Sequence, residues 1–210
     1  MKTIFKVIAS ATFALSMLAN TQAAVINVSM TADNTVSGGV CADSSCTSIV
    51  SNWSDFGTMS NSTNWKSSDS VTFNLAPGTY SFAWLVENAG RNSSGNPAAL
   101  LAEYSVDGSV VSSSSDWELF DNTTGAFIAS ATEYGANGQS GVIWTNANGG
   151  PIAGISASAN WIYSANNFAD ADRSVWLRTT VDVPSTNVSA PSMLALFALG
   201  AFFVASRRKA

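Results

Sequence analysis

Alternation of apolar and polar positions organises the middle of the chain. Over residues 71–75, Val71, Phe73 and Leu75 fall on one face and Thr72 and Asn74 on the other, the period of two of a half-buried strand. Over residues 80–87, Tyr80, Phe82, Trp84 and Val86 repeat the pattern. Ala76, Pro77, Gly78 and Thr79 lie between them as turn residues, so the two segments are expected to form a β-hairpin. Near the end of the body, Val175, Leu177, Thr179, Val181 and Val183 alternate with Ser174, Trp176, Arg178, Thr180 and Asp182. Shorter strands are expected over residues 25–31, 100–106, 116–121 and 160–163. No window of the body carries a helical apolar stripe for more than two turns, so helices should be few and short. Strands separated by Gly, Asn and Ser clusters predict an all-β fold, an antiparallel β-sandwich or jelly roll.

The two ends break this pattern. Lys2 and Lys6 precede a mostly apolar run over residues 7–18 and the small, polar residues 19–23, the three-part layout of a secretory signal peptide. Cleavage after Ala23 places Thr21 and Ala23 at the two small positions, and cleavage after Ala24 is nearly as good. At the other end, Pro184 and Pro191 bound a polar linker, an uncharged apolar run covers residues 193–205, and Arg207, Arg208 and Lys209 follow. As a helix that run rises about 20 Å, short of the roughly 30 Å hydrocarbon core. The terminal cations are expected to stay on the cytoplasmic side. The chain thus divides into a signal helix (1–23), a sandwich domain (24–183), a linker (184–192) and a short hydrophobic helix with a basic tail (193–210).

Val188, Ser189, Ala190 and Pro191, the apolar run from Leu194 to Gly200, and Arg207, Arg208 and Lys209 together resemble a PEP-CTERM sorting signal. Ser189 and Ala190 stand where the usual form has Pro and Glu, so the tail is similar to a Ser-Ala-Pro variant. The resemblance implies a membrane exosortase as processing partner, transient membrane insertion, removal of the tail, and release to the cell surface or the polysaccharide matrix. A plain tail anchor is the alternative. Residues 98–103, 131–135, 159–164 and 172–178 resemble recurring segments of galactose-binding-like jelly-roll domains. That resemblance implies a β-sandwich, in many cases a glycan-recognising or accessory module. One fold hosts many functions, so it bears on architecture more than on activity.

Composition narrows the chemistry further. All 14 acidic residues lie from Asp33 to Asp182, where only Lys66, Arg91, Arg173 and Arg178 are basic, so a nucleic-acid partner is not expected. With no histidine and only Cys41 and Cys46, His-based triads, zinc sites with His ligands and multi-Cys clusters are excluded. In an exported chain, Cys41 and Cys46 are expected to form a disulfide closing a small loop.

Seven tryptophans all lie in the body. Trp53, Trp65 and Trp144 sit among polar residues and are candidate sugar platforms, because an indole face stacks on the C–H patch of a pyranose while neighbouring amides and hydroxyls bind its oxygens. Trp84 and Trp161 lie within strand patterns and are assigned to the core. Asp170 with Asp172, and Asp116 with Glu118 and Asp121, are candidate calcium ligands, but no D-x-D-x-D-G loop is present and a solvated acidic surface that keeps an exported protein soluble is the favoured reading. No spacing singles out a glycosidase carboxylate pair, and no catalytic residue is assigned. The reading is a non-catalytic surface or matrix protein that binds carbohydrate, against a matrix scaffold without a pocket and, third, a glycoside hydrolase.

Overall fold

In a computed structural model the described residues are 20–41, 54–56, 64–168 and 172–188. They fold as two antiparallel sheets packed face to face. The strands are β1 (Asn20–Gln22), β2 (Ala24–Asp33), β3 (Thr35–Cys41), β4 (Ser54–Asp55), β5 (Asp69–Leu75), β6 (Gly78–Glu87) and β7 (Ala99–Val106). They continue as β8 (Ser109–Ser112), β9 (Glu118–Asp121), β10 (Phe127–Ser130), β11 (Thr132–Ala136), β12 (Asn160–Tyr163), β13 (Ser174–Val183) and β14 (Thr186–Val188). The first sheet runs β10-β9-β13-β6-β3-β4; the second runs β11-β12-β7-β2-β5, with β8 beside β7. β1 and β14 form a separate two-stranded ribbon. Among the described residues the one α-helix is α1 (Ile143–Asn148), which Gly149 closes in the left-handed conformation at φ 78°.

The period of two decides which residues meet. Ile26, Val28, Met30 and Ala32 of β2 are buried, while Val25 and Asn27 on its other face are exposed. Facing them across the sandwich are Phe82, Trp84 and Val86 of β6 and Val175, Leu177, Val181 and Val183 of β13. Trp84 stacks on Trp117 with ring centroids 4.4 Å apart, and Phe82 meets Tyr104 edge-on at 5.2 Å. Gly38 of β3 makes room for this seam: a Cβ there would lie 2.5 Å from the Phe56 ring and 3.1 Å from Trp84. Glycine is needed at this position for space, not for its backbone angle.

The expected hairpin of residues 71–75 and 80–87 is not formed. β5 pairs with β2 in the second sheet, whereas β6 lies between β3 and β13 in the first, so Ala76 and Pro77 carry the chain from one sheet to the other. Both strands have an apolar face, and those faces meet each other, Phe73 lying 6.1 Å from Phe82, instead of lining one side of a shared sheet. β2 and β3 cross between the sheets in the same way through Asn34. The expected strands at 25–31, 100–106, 116–121 and 160–163 appear as β2, β7, β9 and β12, and β13 covers the long C-terminal alternation. Residues 1–19 and 189–210, including the expected terminal helices, lie outside the described residues.

Replacing Trp84 with alanine should cost about 3–5 kcal/mol of stability, because it removes a fully buried indole and leaves its partners without contact. Gly38→Ala should destabilise by displacing Phe56. Urea unfolding of both variants measures this, and a Trp84→Ala loss under about 1 kcal/mol would contradict the packing described.

Candidate functional site

The sequence-predicted tryptophans separate once the fold is known. Trp53 lies outside the described residues. Trp65 sits in the turn before β5, half-buried, with its ring edge-on to Trp161 at 6.5 Å and the Lys66 ammonium 5.2 Å from its centre. Trp144, expected as an exposed platform, is only 2 % exposed. Its indole stacks on Trp161 at 4.6 Å and 17°, so neither its burial nor its ring contact leaves a face for a sugar. That expectation is corrected.

The register explains how Trp144 is covered. Ile162 pairs with Leu100 and faces the inter-sheet core, which turns its neighbour Trp161 to the opposite side of the second sheet. There the excursion between β11 and β12 folds over it. Asn137, 3 % exposed, holds that excursion closed: its amide donates to the carbonyls of Ile152 (3.0 Å) and Ile155 (2.8 Å) and its side-chain oxygen accepts from the Ile152 N–H (2.7 Å). A second aromatic layer, Trp65, Trp161, Trp144 and Tyr134, therefore lies outside the inter-sheet core.

Asp33, at the end of β2, fastens this layer. One carboxylate oxygen accepts the Trp144 indole N–H at 3.0 Å and the other accepts from the Asn34 amide. Asn34 in turn accepts the Ala89 N–H at 2.7 Å, tying in the loop after β6. Burial pushes the Asp33 carboxyl above its ordinary value, against the two hydrogen bonds that favour its charge. Sequence reasoning missed Asp33, since its indole partner is 111 positions away.

Two of the acidic candidates, Glu118 and Asp121, have their carboxylates engaged within the fold. Glu118 pairs with Arg178, whose Nε lies 3.1 Å from the carboxylate and whose guanidinium lies 4.2 Å from the Phe120 ring centre. Asp121 accepts the N–H groups of Thr123 and Thr124, which with the Thr124 hydroxyl hold its carboxyl below the ordinary value. The Asp172 carbonyl accepts the Tyr163 hydroxyl, and Asp170 lies outside the described residues. No group of three or more acidic or cysteine side chains converges as a metal-ligand set among the described residues. Cys41 ends β3 and is not a free thiol; Cys46 lies outside the described residues.

A cavity of about 330 Å³ opens at the other end of the sandwich, where β7 turns into β8 and β13 runs out into Pro184. Val106, Val111, Val181 and Pro184 supply apolar walls, and Tyr104, Ser109 and Asp182 supply polar groups. Asp182 accepts the Thr79 hydroxyl at 2.7 Å. Burial, reinforced by the Asp182 charge, pushes the Tyr104 phenol up against its Thr179 hydrogen bond, so it stays protonated at neutral pH. The volume is at the low end of small-ligand sites, and the lining combines apolar walls with a few polar groups. No family model, curated protein or solved structure matches the chain.

Asp33 has a raised folded-state pKa, so its stabilising contribution is complete below its ordinary value of 3.8 and is lost as pH rises through the raised value. The stability of the wild type should therefore fall relative to Asp33→Asn between about pH 3 and neutrality. Urea unfolding of both proteins across that range checks the sign; parallel pH curves would show the carboxyl unperturbed.

Proposed function

We propose that the protein is an exported, non-catalytic surface or matrix module, of galactose-binding-like jelly-roll type, that associates with extracellular polysaccharide and is sorted through its C-terminal tail. The observation that carries this reading is the shared exit of the two ends. β1 pairs with β14, so residues 20–22, the end of the proposed leader, and 186–188, the start of the proposed tail, lie side by side. Ala23 is exposed between β1 and β2, and core burial begins at Ala24, so cleavage after Ala23 would leave β2 whole. A body hung from one end by both apolar segments suits passage across a membrane, anchoring and release by an exosortase-type enzyme.

The ligand reading rests on the cavity. A pyranose offers C–H faces to Val106, Val111 and Pro184 and hydroxyls to Asp182 and Ser109. Burial of Trp144 and half-burial of Trp65 favour a second reading, a scaffold of the polysaccharide matrix without a discrete pocket. A Cys41–Cys46 bridge, proposed for the exported form, would close the short loop after β3 and restrict protease access.

A glycan array with the exported protein separates the readings. Binding that falls by about 1–3 kcal/mol in Asp182→Ala, with Trp65→Ala unaffected, would support the cavity. Loss only in Trp65→Ala would move the site to the aromatic layer, and no binding to any glycan would leave the scaffold reading. Intact-mass analysis after alkylation should find no reactive thiol until a reductant is added; two alkylated cysteines in the native protein would remove the bridge.

A further inference from the structure

The β1–β14 ribbon joins two segments with separate expected fates. Asn20 pairs with Val188, Thr21 with Asn187 and Gln22 with Thr186, and neither strand belongs to either sheet. β1 is the last part of the leader. β14 is the linker running into the sorting motif, whose first residue, Val188, is itself paired; Ser189, Ala190 and Pro191 lie outside the described residues. From the leader and tail reading proposed above, we infer that the leader masks the linker and that its removal must come first, so the two processing events are ordered.

The physical argument is one of backbone pairing. Hydrolysis of the Ala23–Ala24 bond consumes a water, leaves a carboxylate on Ala23 and an amine on Ala24, and removes the whole of β1. β14 then has no strand beside it among the described residues, where β1 is its only sheet partner. A three-residue strand without a partner cannot keep its backbone groups paired, and it returns to solvated, extended chain. Proteases commonly bind substrates by adding them as an extended strand, and an edge already occupied by β1 resists that mode of capture. The folded body is unchanged by the cut, since Ala24 and Ile26 stay buried in β2. The leader thus acts as a removable cover on the linker of the same chain.

Limited proteolysis of the full precursor and of the chain beginning at Ala24, both in one detergent, tests the cover without the cellular enzymes. Mass mapping should show cuts at residues 184–191 about tenfold slower in the precursor. Thr21→Pro, which removes a backbone donor from the middle of β1, should raise the precursor to the faster rate. Equal rates in the two unmutated proteins would overturn the inference. In exporting cells, Ala23→Tyr should retain both leader and tail, and adding Thr21→Pro should restore tail removal. Tail loss from Ala23→Tyr at the wild-type rate would overturn the order of events. Wild-type protein that sheds its leader but keeps its tail would instead overturn the sorting reading, while the proteolysis comparison would still decide whether the linker is covered.

Discussion

The structure depends on aromatic closure between two sheets whose strands alternate strictly. Trp84 against Trp117, and Phe82 against Tyr104, fill the space between the sheets with large rigid rings. Each ring must face inward, because a one-residue slip of β6 would turn Phe82 and Trp84 to the outer face of the first sheet and point Ser81 and Leu85 between the sheets in their place. The long pairing of β6 with β13, from Gly78 opposite Val183 to Glu87 opposite Ser174, fixes that register. Strand crossings at Asn34 and at Ala76–Pro77 place β2 and β3, and β5 and β6, in opposite sheets, so that their apolar faces meet across the core.

Outside this core the second sheet carries another aromatic layer, and its stability has a different physical basis. Trp144 is brought in by a short helix without a side-chain N-cap hydrogen bond and held by a buried carboxylate. Stacking on Trp161 supplies apolar burial, while Asp33 satisfies the indole N–H that burial would otherwise strand. The cost is a carboxylate kept from water, offset in part by the hydrogen bonds from Trp144 and Asn34. Trp144, which looks suited to sugar contact in the sequence, is therefore used here to attach a loop excursion to a sheet.

The two ends of the sandwich consequently differ. One is closed by asparagine networks, in which Asn88 donates to Asn92 and to the Asn96 carbonyl, and Asn96 donates to Asn88, Ala89 and Arg91. The other holds the cavity and the β1–β14 ribbon. On the reading proposed above, ligand contact, membrane attachment and processing concentrate at this second end, with the cavity walled in part by Pro184.

By itself the sequence determined the all-β class, the inward residues of β5, β6 and β13, and the burial of Trp84 and Trp161, because side-chain alternation is a local property that the backbone imposes. Only the tertiary structure decided that β5 and β6 lie in opposite sheets, since one-sided alternation is the same whether two strands lie beside each other or face each other. Trp144 followed the same rule: its neighbours in the chain are polar, and its burial comes from Trp161 and Asp33, which no local pattern connects to it. The cavity residues, drawn from β7, β8, β13 and the start of the linker, were equally invisible until folding placed them together. Periodicity specifies which face of an element is buried, and long-range pairing specifies what that face is buried against.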